Sequence, residues 1–82
     1  MKLKQAKEYF DLGVIHGLRA YQEPMGNGWL LVVDVRSSGG VSGEVIETAL
    51  GVPRVFASLD TLYGQIRNIC GEAKEINFVT RS

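Results

Sequence analysis

A single cysteine, Cys70, excludes an intramolecular disulfide and a cysteine-rich metal site. A single histidine, His16, excludes a histidine-built zinc site unless other strong ligands join it, and no Cys or carboxylate stands at a metal-like spacing from it. Neither sign of charge dominates: nine basic residues face nine acidic ones, for a net charge of zero. That balance disfavours a sequence-independent grip on nucleic acid, which needs several cations in one place. The longest apolar run, Trp29 to Val33, is too short to span a bilayer. Met1-Lys2-Leu3-Lys4 opens a charged segment instead of an apolar leader, so a cytoplasmic location is the expectation.

What is present is enough for one small domain over residues 1–82. A chain of this size buries roughly 60–65% of the surface its unfolded form exposes, so its core is small. Self-association would relieve that, and the 45% apolar content leaves residues for it.

The apolar spacing predicts a helix over Lys2–Leu12, with Leu3, Ala6, Tyr9 and Phe10 on one face and Gly13 as its stop. Val14–Gln22 reads as an irregular strand, which Gly17 either weakens or marks with a bulge. Trp29–Arg36 is the strongest strand signal: Trp29, Leu31, Val33 and Val35 share one face, and Leu30, Val32 and Asp34 the other. A third strand is expected from about Gly43, a turn at Gly51-Val52-Pro53 and a short fourth strand at Arg54-Val55-Phe56. Ser58 is a good N-cap for a second helix running to Cys70, with Asp60 in its first turn, and Gly71 is a good terminator. Leu59, Leu62, Tyr63, Ile66, Ile69 and Cys70 form its apolar stripe, and Gly64 is read as a point of close packing. Glu75–Thr80 reads as a final strand. The expected class is α+β: an antiparallel β-meander with two helices on one face, in the order α-β-β-β-β-α-β.

Two glycine-rich stretches invite a phosphate-loop reading and fail it. Gly26-Asn27-Gly28 lacks the third glycine of a dinucleotide fingerprint, since Leu31 stands there, and a strand follows it. Asn-Gly between two strands predicts a tight type I′ hairpin turn instead, with Met25 at its tip. Ser37–Gly43 runs into Glu44, where a Walker loop needs lysine, and it precedes a strand. It reads as a solvated loop, with an anion contact through backbone amides as the competing reading.

No nucleophile motif accompanies His16, so a triad with a serine and Asp34 has little behind it. Asp34 reads as a solvent-face residue paired with Arg36 or Arg19, and Cys70 as a small buried hydrophobe. No cofactor, metal or small-molecule ligand is inferred. Met25, Arg36, Ser38 and Arg54 are the residues best placed for a partner contact, with Arg67 and Arg81 as further cations to test.

Three segments carry a resemblance: "MKLKQAKEYFDLGVIHGLRAY", "PMGNGWLL" and "PRVFASLDTLYGQIRNICG". With Pro24, Met25, Gly28, Trp29, Pro53, Arg54, Phe56, Ser58, Leu59, Asp60 and Gly71, the chain resembles small partition-associated accessory proteins of plasmids and conjugative elements of Gram-negative bacteria. The matching positions are turn, cap and core residues, and no catalytic residue comes with them. The resemblance implies a cytoplasmic, non-enzymatic role in maintenance or partition of a plasmid or mobile element, without naming a partner. Two functional readings follow. The first is a protein-interaction module, binding a partner protein or a second copy of itself. The second is a nucleic-acid-binding regulator using a local basic surface around Arg36 and Arg54.

Overall fold

The computed structural model describes residues 1–23, 26, 28–71 and 77–79, the last three and Cys70 by their backbone. The chain runs α1 (Leu3–Asp11), β1 (Ile15–Gln22), β2 (Trp29–Ser37), β3 (Gly40–Val45), α2 (Leu59–Cys70) and β4 (Asn77–Val79). Pro24, Met25, Asn27 and Arg81 lie outside the described residues, and so does the rest of the expected Glu75–Thr80 strand.

Both helices end where their glycines dictate. After α1, Val14 N–H donates to Tyr9 C=O (3.2 Å) and Gly13 N–H to Phe10 C=O (3.0 Å). This Schellman pair needs a left-handed residue, and Gly13 supplies it with φ 75°. At the start of α2, Thr61 N–H donates to Ser58 Oγ at 3.2 Å, satisfying one of the helix's orphan donors. Gly71, at φ 71°, stops it.

β1 and β2 pair antiparallel, and so do β2 and β3. The register slips between Ile15 and Gly17, so the bulge falls at the glycine. It turns Ile15 toward the core and leaves His16 exposed. The strand order is β3-β2-β1-β4, and β4 lies parallel to β1.

Both helices cover one face of this sheet. Leu18 and Ala20 of β1 and Leu31 and Val33 of β2 are buried in one cluster with Ala6 of α1 and Leu62, Ile66 and Ile69 of α2. Ile46 and Phe56 complete the cluster from the segment between β3 and α2. Each large side chain buried here contributes about 1.5–3 kcal/mol.

Three sequence expectations need correction. Arg54-Val55-Phe56 is no strand: Glu47–Pro53 and Trp29–Phe56 are isolated bridges. Proline 53 has no N–H to continue a ladder. The meander therefore has three strands, and the last strand joins it in parallel. The third strand spans Gly40–Val45, so most of the stretch read as a loose loop is paired backbone. The expected Asn27-Gly28 turn falls partly outside the described residues; Gly28 itself is buried. A Cβ on Gly64 would meet nothing within 4 Å, so that glycine faces open space and not a close neighbour.

Candidate functional site

The outer face of the sheet carries a fixed ion pair. Arg19 Nη2 lies 2.6 Å from Asp34 Oδ1, and Nε lies 2.9 Å from Oδ2, a two-pronged contact. Arg19 Nη1 also donates to Tyr21 Oη, and the guanidinium sits 5.2 Å from the Tyr21 ring centre. Hydrogen bonding to Asp34 holds the Arg19 pKa above its ordinary value. A Cβ on Gly43 would stand 2.7 Å from Arg19 Nη2, so the bare glycine is what leaves room for the guanidinium.

Among the described residues, the remaining arginines are also engaged. Arg54 lies over Phe56 at 5.1 Å and Arg67 over Tyr63 at 5.4 Å. Arg36 is exposed, with Nη2 3.1 Å from His16 Nδ1. A guanidinium can only donate, so the imidazole accepts there. Asp34 is held by Arg19 instead of by His16. Among the described residues, no group of three His, Cys, Asp or Glu side chains is placed to hold a metal ion.

Of the residues expected at a partner contact, Arg36 and Ser38 come together at the β2–β3 hairpin, both exposed. Arg54 belongs to the segment between β3 and α2, half-buried, with its N–H donating to Ile46 C=O. Met25 falls outside the described residues.

Two surfaces stand out besides these four residues. The first is apolar. Leu50 is 92% exposed and Val55 53%, and Val52, Leu59 and Tyr63 are exposed as well. The α2 stripe is therefore wider than the core needs. Leu62, Ile66 and Ile69 turn inward, while Leu59 and Tyr63, one helical turn apart, form an outward flank. The signal lay in "LGVPRV", apolar residues set between turn-formers, and in the stripe's excess width.

The second is the edge of β3, which among the described residues pairs with no further strand, with an open groove of about 360 Å³ beside it. Gln5 and Tyr9 of α1 wall the groove with Met1, and Val35, Ser42 and Glu44 are among its strand residues. Among the described residues, the edge is closed at one end. The terminal ammonium of Met1 donates to Val45 C=O and pairs with Glu47 Oε1, both at 2.9 Å.

Comparison with protein-family models, with curated proteins and with solved structures finds no match.

Proposed function

We propose that this chain is a small non-enzymatic protein-interaction module serving the maintenance or partition of a plasmid or mobile element. The observation that carries the interaction reading is the run of exposed apolar side chains Leu50, Val52, Val55, Leu59 and Tyr63. Scattered surface leucines need no explanation, but exposed apolar side chains that gather into a patch mark an interaction site, and these five follow one another closely along the chain. The genetic setting rests on the resemblance of Pro24–Trp29 and Pro53–Asp60 to partition-associated accessory proteins.

The test is affinity capture from cells carrying a plasmid with its partition genes, using the native chain and a Leu59→Lys/Tyr63→Lys variant. Both positions are exposed, so the variant keeps its fold, as circular dichroism checks. A plasmid-encoded protein retained by the native chain and lost by the variant supports the reading. Equal capture by both overturns the assigned surface, and capture of host proteins alone overturns the setting.

The alternative, a nucleic-acid-binding regulator, has less support. Arg19, Arg54 and Arg67 are turned to Asp34, Phe56 and Tyr63, which takes three cations from any basic surface around Arg36. Fluorescence anisotropy with duplex DNA at low salt and micromolar protein decides it; tight, salt-sensitive binding would reverse the order of the two readings.

A further inference from the structure

Among the described residues no strand pairs with the outer side of β3, and its groups point to one occupant. We propose that two copies of the chain pair antiparallel through β3, about a two-fold axis at Gly43, and join their sheets into one. The proposal adds a second copy to the interaction reading and stands on β3, apart from the apolar surface of residues 50–63.

The backbone sets the available groups. Ile46 N–H donates to Leu31 C=O, and bonding residues alternate along an antiparallel ladder. With the observed register, Glu44, Ser42 and Gly40 bond toward β2 opposite Val33, Val35 and Ser37. Val41, Gly43 and Val45 therefore direct their N–H and C=O groups to the outer edge. Met1 already occupies Val45 C=O, so at that end only the Val45 N–H is left to donate, and the Gly43 pair carries the central bonds. No proline, lysine or bulge blunts the stretch from Val41 to Val45.

The side chains select the register. With Gly43 opposite its own copy, Val41 faces the copy's Val45 on the outer face, which covers a valine now 53% exposed. On the inner face Glu44 faces the copy's Ser42, a carboxylate beside a hydroxyl donor. Shifting the pairing one step along β3 in one direction sets Glu44 against Glu44, a like-charge pair that opposes association. Shifting it the other way sets Val41 against Gly43 and shortens the overlap. The Arg19 guanidinium above Gly43 brings its own counter-ion, Asp34, so that face meets its copy neutral. The interface is small, which predicts a dimer that dissociates on dilution through about the micromolar range.

Sedimentation equilibrium tests this on the full chain. The native protein is expected to dimerise, Ser42→Glu to weaken the dimer about tenfold by facing Glu44, and Ser42→Lys to tighten it. Thermal melts at a dilution where all three are monomeric check the fold. The register is read by cross-linking. Mixed Ser42→Cys and Glu44→Cys chains should form a disulfide-linked heterodimer on mild oxidation, and neither variant alone should. The native chain, carrying Cys70, sets the background. A monomer at every concentration overturns the proposal. So does a dimer indifferent to position 42 or cross-linked equally without mixing, and neither result touches the capture experiment on Leu59 and Tyr63.

Discussion

Gly28 packs its backbone against the carbonyl of Phe56, so closely that a Cβ on it would stand 2.9 Å from that oxygen. The approach lets Trp29 and Phe56 exchange N–H to C=O bonds, both at 2.8 Å. That pair stitches the segment after β3 to the start of β2 and seats Phe56 in the core.

Gly28→Ala should therefore destabilise the fold by about 2–3 kcal/mol, as overpacking of a buried site does. The added methyl meets backbone and the Val55 side chain, and only the side chain can move. Urea denaturation reads the loss. A midpoint unchanged from the native chain would count against the tight Gly28–Phe56 approach.

Gly64 behaves oppositely. It sits inside α2 with open space where a Cβ would go. Gly64→Ala should raise stability by about 1 kcal/mol through helix propensity alone. A melting temperature that falls would mean the site is more crowded than it is drawn.

At Gly13 the backbone, not the space, is limiting. Its φ of 75° ends α1 in the left-handed region. Gly13→Ala should cost about 1–2 kcal/mol and Gly13→Asn less, because asparagine tolerates that conformation better. Equal losses for the two in denaturant melts would remove the conformational explanation.

Arg19, Asp34 and Gly43 should act as one unit. Gly43→Ala pushes against the guanidinium, so its effect should shrink in an Arg19→Ala background. The pair is partly exposed, which limits Arg19→Ala to about 1 kcal/mol or less. Arg19→Lys should recover little, since an ammonium lacks the planar fork. The folded pKa of Arg19 lies above its unfolded value. Its contribution is thus complete below the unfolded value and is lost only as pH rises through the folded one. Stability from this arginine should stay flat to about pH 11. A double-mutant cycle by thermal melting, repeated at neutral and alkaline pH, checks both statements.

Elements with local signals were legible in the sequence. Gly13, Ser58 and Gly71 mark helix ends, and the alternation from Trp29 to Val35 groups the side chains that share a face without saying which face is inner. Gly17 was readable as a weak point or a bulge, because a glycine breaking an apolar alternation has few other uses. The misread parts depend on tertiary contacts. Gly28 packs under Phe56, far along the chain, which nothing near it in sequence shows. Glycines and serines in "SSGGVSG" look like loop residues, but β2 offers a ladder that any backbone can complete, and Gly43 leaves room for Arg19. Leu59 and Tyr63 looked like core because periodicity shows which face is apolar, not how much of that face the sheet covers. Of the four expected contact residues, Arg36 and Ser38 were found near the β3 edge only because they flank the hairpin. The valines that line that edge carry no motif at all.

β4 lies beside β1, with Asn77 opposite Arg19 and nearly the whole chain between them. The hairpins β1–β2 and β2–β3 close over short loops, whereas β4 can dock only after α2 has formed and returned. Long closures are entropically late. Folding should therefore proceed with a three-stranded core first and the parallel strand last. In amide hydrogen exchange, the protons that β1 shares with β4 should open under milder conditions than those between β1 and β2. The same order governs synthesis on the ribosome. The meander can emerge and pair before residues 77–79 exist, which leaves the β4 side of β1 exposed longest in a newborn chain.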